Sequence, residues 1–127
     1  DSLGELIQAA ITGDATVTAL IASRIFPNRR PQTAALPLAV YSIISDVPFN
    51  ALTGSADSRL SRARLQIDVY AKTYREAHQI AAAVDDVVAN LGSPDISADR
   101  DTTRDFFDNE TQLHRVSTDY IVLWAVT

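Results

Sequence analysis

Acidic and hydroxyl side chains between Asp99 and Glu110 have a spacing that could bind calcium. Positions 1, 3, 5, 7 and 12 of a calcium loop would be Asp99, Asp101, Thr103, Asp105 and Glu110. The sixth position must turn sharply and wants glycine, but here it is Arg104. The residues that follow also favour a strand over a helix. The pattern therefore favours a solvated loop that enters a hairpin over a calcium site.

The histidines and the paired aspartates lack a catalytic spacing. His78 is predicted on the exposed side of a helix and His114 at the start of the last strand, without the H-x-x-x-H spacing of a zinc site. Asp85 and Asp86 are helix neighbours, so they do not face each other as an acid/base pair and are predicted to be solvated. Spacing alone does not decide on a Ser-His-Asp triad, but no G-x-S-x-G elbow, G-x-G-x-x-G or phosphate loop is present. We predict no enzyme activity, no metal and no cofactor.

Arginines are concentrated in two places. They are Arg24, Arg29 and Arg30, and then Arg59, Arg62 and Arg64. A nucleic-acid site would need the two groups to converge in space. The chain has 11 basic and 16 acidic residues, a net charge of −5, so its surface on average repels a phosphate backbone. Ion pairs within the chain, or across a subunit boundary, are the expected use of these arginines.

Length and composition favour one ordinary globular domain over residues 1–127. The hydrophobic fraction is 46% and there is no cysteine, so disulfides and thiolate sites are excluded. No apolar run approaches the roughly 18 residues of a membrane span, and no signal-peptide pattern opens the sequence. The expectation is a soluble protein made in a cytoplasm.

The stretch Leu60–Leu91 has the clearest local pattern. Alternating apolar residues predict a strand over Leu60–Ala71. A capping box at Thr73–Glu76 and apolar residues at helical spacing then predict a long helix over Thr73–Leu91. Gly92 is the predicted left-handed stop, with Pro94 just beyond it.

The remaining elements follow from similar signals. Capping residues and apolar stripes predict two short N-terminal helices that meet at Gly13. Further strands are predicted at Leu38–Val47, Thr103–Phe107 and Leu113–Val126, with a brief extended piece at Arg24–Pro27. Two longer polar connections, Pro48–Arg59 and Ser93–Thr102, are candidates for contacts with other proteins.

These elements predict an α+β fold. Its sheet has four strands, mainly antiparallel, in the order 1-2-4-3, with the long helix on one face. Complementary side chains suggest a register for the second and last strands. In that register Asp68 faces Arg115, Gln66 faces Ser117, and Arg64 faces Asp119.

The connection Pro48–Arg59 carries no catalytic groups, so we predict that it forms an assembly interface. Phe49 and Leu52 are predicted apolar anchors, because both are large apolar side chains in an otherwise polar loop. Arg59 and Arg62 would form a charged rim that sets specificity. We add Arg64 and Asp105 to this candidate interface. The alternative is that Phe49 folds back onto its own sheet.

The chain resembles the tail-completion, or tail-terminator, family of long-tailed bacteriophages and related prophage-derived particles. The resemblance covers nearly the whole sequence in the order of that family. Its landmarks are the helix pair ending in Arg24-Ile25-Phe26-Pro27, then Leu36 to Tyr41, then Ala63 to Ala71 followed by Tyr74-Arg75-Glu76-Ala77, and finally Asp105 to Trp124, especially Arg115-Val116-Ser117-Thr118-Asp119-Tyr120.

The resemblance implies a structural virion protein that is assembled in the bacterial cytoplasm and does not contact a membrane. Similar proteins form a ring, usually a hexamer, at the head-proximal end of the tail tube. Their partners are further copies of the same chain, the tail tube protein and the head–tail connector, and DNA passes through the channel without sequence-specific binding. The alternatives are a head–tail connector or head-completion ring, or a small host enzyme or regulator on an α+β scaffold.

Overall fold

The computed structural model describes residues 2–31, 33–50, 59–91 and 96–126. Within these ranges no helix is long and apolar enough to cross a membrane. The predicted Gly92 stop, Pro94 and the Leu52 anchor lie outside the described residues. The elements in chain order are α1 (Leu3–Thr12), α2 (Ala15–Ile21), β1 (Ile25–Pro27), β2 (Leu38–Asn50), β3 (Arg59–Ala71), α3 (Tyr74–Ala89), β4 (Ile96–Asp108) and β5 (Leu113–Val126).

Helices α1 and α2 begin at the predicted caps. The Ser2 hydroxyl accepts from the Glu5 amide at 3.2 Å, and the Glu5 carboxylate accepts in return from Ser2. These hydrogen bonds hold the pKa of Glu5 below its usual value. Asp14 caps α2 by accepting from the Val17 amide at 3.0 Å. Both N-terminal helices are therefore confirmed, with Gly13 at the end of the first.

The long helix α3 begins where its capping signal predicts. Thr73 accepts from the Glu76 amide at 3.1 Å. The helix ends at Ala89 rather than Leu91. Asn90 closes the last turn because its backbone N–H and its side-chain amide both donate to the Asp86 carbonyl. The helix predicted over Thr73–Leu91 is thus confirmed in place and shortened at its C-terminal end.

The sheet has five strands in the order β1-β2-β3-β5-β4, so the prediction of four strands is wrong. The additional strand is the extended piece after Arg24, which pairs in parallel with Ala39–Tyr41 of β2. All other pairings are antiparallel. The four predicted strands keep their predicted order among themselves, because β5 lies between β3 and β4.

Strand β4 is longer than predicted. It covers Ile96–Asp108 with a bulge between Arg100 and Thr102, so most of the connection predicted at Ser93–Thr102 is strand. The strand lies at the edge of the sheet and is exposed along most of its length. An edge strand with charges on both faces lacks the apolar alternation by which strands are recognised.

The connection between β2 and β3 is shorter than the predicted Pro48–Arg59 at both ends. Strand β2 continues beyond Val47 to Asn50, and β3 begins at Arg59. Phe49 lies opposite Leu60 in the ladder between these strands. Its backbone is therefore part of the sheet rather than of a loop.

The predicted register of β3 against β5 is wrong by two residues. The observed pairs are Arg64 with Ile121, Gln66 with Asp119, and Asp68 with Ser117. A shift of two keeps every side chain on its predicted face. Two of the predicted contacts survive as diagonal ones: Gln66 Nε2 lies 2.9 Å from Ser117 Oγ, and Arg64 Nη1 lies 3.5 Å from Asp119 Oδ2.

The core lies between the three helices and one face of the sheet, which we call the helix face. Every second residue of β3 from Ala63 to Ala71 is buried there, and so is every second residue of β5 from Val116 to Trp124. From α3, Ile80 and Val84 pack into the same cluster. The predicted packing of the long helix on this face is therefore confirmed for these residues.

A buried tyrosine joins the sheet to α3. The Tyr120 hydroxyl donates to Asp85 Oδ1 at 2.9 Å, and the other Asp85 oxygen lies 3.6 Å from Arg100 Nη1 on β4. Burial, and then the hydrogen bond to the carboxylate, raise the pKa of Tyr120 above its usual value. The expectation that Asp85 is merely solvated is wrong, because it links α3, β5 and β4.

We expect Ile67→Ala to destabilise the domain by about 2–5 kcal/mol, since truncation of a side chain only 2% exposed leaves a cavity. Chemical denaturation measures the free energy of unfolding. Gln79→Ala, on the exposed side of α3, is the control and should change it by less than about 0.5 kcal/mol. A loss below about 1 kcal/mol for Ile67→Ala would show that this face is not the core.

We expect Tyr120→Phe to cost about 1–2 kcal/mol by removing the hydrogen bond to Asp85. Because folding raises the pKa of Tyr120, its neutral form is favoured in the native state. That contribution is complete below about pH 10 and is lost as the pH rises further. The stability difference between wild type and variant should therefore shrink above about pH 10. Tyr74→Phe at an exposed site is the control, and a difference constant to pH 11 contradicts the assignment.

Candidate functional site

The second face of the sheet carries no helix within the described residues, and we call it the open face. Helices α1, α2 and α3 contact one another and pack together on the helix face. The open face presents the even-numbered side chains Arg62 to Tyr70 of β3 and the odd-numbered side chains Arg115 to Leu123 of β5. A broad sheet face without its own cover is the main candidate surface of this molecule.

The centre of the open face is a network of charged side chains. Arg64 Nη1 lies 3.1 Å from Asp101 Oδ2 on β4 and 3.5 Å from Asp119 Oδ2 on β5. Arg104 Nη2 lies 3.7 Å from the same Asp119 oxygen. Because Arg64 and Asp101 are about 40% exposed, each of these pairs adds at most about 1 kcal/mol to stability. The network sets the charge pattern of the surface more than the stability of the domain.

An apolar patch lies at the end of the open face where β2 passes into the 51–58 segment. It consists of Val47 and Leu123, which are 59% and 44% exposed and lie on either side of Arg62. Val47 and Leu123 line a shallow groove of about 520 Å³ together with Ile121 and Arg62. Large apolar side chains grouped on an exposed surface mark an interaction site more often than isolated ones do.

Aromatic and arginine side chains occupy the opposite end of the open face. The Arg115 guanidinium carbon lies 4.2 Å from the centre of the Phe106 ring, and that of Arg30 lies 5.2 Å from the Tyr70 ring. Both pairs border a cavity of about 650 Å³ that the β4–β5 turn closes on one side. In that turn the pKa of Asp108 is lowered, chiefly because its carboxylate accepts from the Glu110 amide.

The structure brings together only part of the predicted interface. Arg62 and Arg64 lie on the open face, with Arg62 exposed and Arg64 half-buried. Asp105 pairs with Val116 and so projects from the helix face, where its Oδ1 lies 2.9 Å from His78 Nε2. Asp105 is thus separated from the two arginines by the sheet itself, and its part in an interface stays a prediction.

For the other predicted interface residues, the structure gives at most the position of the backbone. The backbones of Phe49 and Arg59 belong to the β2–β3 ladder, and Leu52 lies outside the described residues. The apolar patch of Val47 and Leu123 was missed. Its signal was present in β5, where Ile121 and Leu123 interrupt a face that is polar at Arg115, Ser117 and Asp119.

The groups considered for chemistry have structural roles. Asp99 to Glu110 extend along β4 and its turn rather than around a loop, so they do not surround a common point. In the part of the chain that the structure describes, no three acidic or histidine side chains come together as a metal site. His78 stacks against Tyr74 with ring centres 4.3 Å apart.

Comparison with known proteins shows the family to which the chain belongs. The family model described as "Tail completion protein gp17" matches residues 5–125. A solved chain described as "Virion of native gene transfer agent (GTA) particle" is 14% identical, with a TM-score of 0.76 over 98% of this chain and 96% of that one, and so shares the fold. No curated protein matches the sequence. The family match covers nearly the entire chain, and we conclude that the protein belongs to the tail completion protein gp17 family and is a structural, non-enzymatic component of a virion.

Proposed function

We propose that the protein forms a closed ring, a hexamer, at the head-proximal end of a tail tube. The ring would end the tube, hold it to the head–tail connector and let DNA pass through its channel. The observation that supports this proposal is the open face, a broad and rigid surface of a tail completion protein that none of its described helices covers. A ring provides each subunit with lateral neighbours and with partners above and below it.

The open face offers the contact with the tube or the connector. Its apolar patch, Val47 with Leu123, supplies desolvated contact area, and Arg62 lies at the margin of the same groove. Such a centre of apolar side chains with a charged rim is typical of stable protein interfaces. Phe49, Leu52 and Arg59 are proposed to extend this contact, since Phe49 lies near the end of β2 and Arg59 begins β3, close along the strands to Val47 and Arg62.

The overall charge suits a channel for DNA. The net charge of −5 repels phosphates on average, so DNA would move past the ring without being held. Two arginines of the open face are paired with acids: Arg64 with Asp101 and Asp119, and Arg104 with Asp119. The proposal therefore includes no sequence-specific DNA binding.

Cryo-electron microscopy of purified particles should show six copies of the chain as a ring between tail tube and connector. Specific antibody labelling of the same particles is an independent check of the position. A single copy per tail, or density at the distal tip, would contradict the proposal. Density on the head side of the connector would instead assign the chain to a head-completion ring.

We expect Val47→Lys combined with Leu123→Lys to uncouple tails from heads while the domain stays folded. Each buried anchor commonly contributes about 2 kcal/mol to an interface, so the two changes should weaken the contact roughly a thousandfold. The measurements are the fraction of joined particles and the thermal unfolding of the isolated domain. Gln79→Lys on α3 is the control. Normal joining by the double variant would exclude the open face as this contact.

A further inference from the structure

Two strand edges of the sheet lack a neighbouring strand within the described residues. Strand β1 pairs only with Ala39–Tyr41, so β2 is unpaired on that side from Ser42 to Asn50. Strand β4 has β5 on one side, and within the described ranges no strand lies on its other side. Because β1 and β4 are the two ends of the strand order, these edges lie on opposite sides of the molecule.

Both edges carry exposed apolar side chains. Ile44 on β2 is 53% exposed. On β4 the consecutive residues Phe106 and Phe107 are 41% and 47% exposed, one on each face of the sheet. Long exposed edges bearing large apolar residues tend to pair with another strand unless something covers them. The bulge near Thr102 protects only part of β4, so a partner at this edge is expected.

The edge formed by β1 is basic. Between Ala15 and Ser45 the sequence has three arginines and no acidic residue. Arg24 and Arg29 flank β1, while Arg30 turns toward the Tyr70 ring. On the helix side this edge is bordered by two acids, because Glu5 and Asp46 share a shallow cavity with Pro27 and Asn28.

The edge formed by β4 is acidic. From Ile96 to Glu110 the chain carries five acidic residues and two arginines, a net charge of −3. Asp99 and Asp105 are both exposed along this edge. The two opposite sides of one molecule therefore differ in the sign of their charge, which favours contact between unlike edges and opposes contact between like edges.

We infer that the β4 edge of one copy binds the β1–β2 edge of a second copy, head to tail. This inference rests on the proposed ring and names the lateral contact that would close it. A second copy is the partner because a single chain carries both complementary edges, on opposite sides, which is the condition for a heterologous contact that closes by rotation. A contact with a different protein would require only one of these two edges and would leave the complementarity of the other unexplained.

Charge reversal at each edge tests the contact. Arg29→Glu alters the basic edge and Asp99→Lys the acidic edge, and both residues are exposed. Asp105→Lys is a second acidic-edge variant. Arg75→Glu and Asp86→Lys make the same charge changes on the exposed side of α3 and are the matched controls. Thermal unfolding of every variant confirms that it folds.

The readouts are sedimentation of the protein over a concentration series and the joining of heads to tails in particles that carry each variant. Each single reversal should weaken self-association, or lower the joined fraction, at least tenfold. An equal mixture of Arg29→Glu and Asp99→Lys proteins should associate at least tenfold better than either protein alone, because native edges pair with native edges and reversed edges with reversed edges around the ring. The chain with both substitutions should recover to within about threefold of wild type.

Failure of this inference is distinguishable from failure of the ring. Reversals that act no more strongly than the controls, or a doubly substituted chain as defective as the single variants, would overturn the edge contact while leaving a ring seen in wild-type particles intact. An equal mixture that associates no better than either single variant would also overturn it. Wild-type particles without a ring would instead overturn the proposed function.

Discussion

The apolar face that β3 and β5 share is the constraint on which this molecule depends. Its buried side chains meet Ile80 and Val84 of α3, and the N-terminal helices close the same core from the side of β1 and β2. The three helices of the described ranges all pack on this face, so none of them covers the other one. The open face is therefore a direct consequence of how the core is built, and the surfaces left for partners are sheet surfaces with fixed spacing.

Local signals in the sequence are sufficient to predict most of the helices and strands. The caps at Ser2, Asp14 and Thr73 and the alternation in β3 depend on neighbours along the chain, so they can be recognised without the fold. The register could not be fixed in this way. A carboxylate and a guanidinium reach each other from directly opposite or from diagonal positions, so the complementarity of Arg64 with Asp119 fits two registers. The sequence predicts too short a strand for β4, because its exposed charged residues show no apolar alternation.

The candidate site was harder to predict, because it depends on which face each side chain takes. Arg62 and Arg64 could be placed on one surface by the alternation of β3 alone. Asp105 could not, since its face depends on the pairing with Val116 across the hairpin turn. The exposed apolar residues Val47 and Leu123 come from strands distant in sequence, and only the sheet topology brings them together. Such a patch is a property of the tertiary structure.

The position of β5 between β3 and β4 also has a consequence in time. At a synthesis rate of roughly 5–20 residues per second, Val126 leaves the ribosome about 3–11 s after Ala71. Until β5 has been made, its position between β3 and β4 is unfilled. The contact of Tyr120 with α3 and the pairing of Trp124 with β3 are then also missing. Until β5 is in place, β4 has no strand to pair with, so neither the β4 edge nor the complete open face exists. The sheet is therefore complete only after β5 has been made and inserted between β3 and β4.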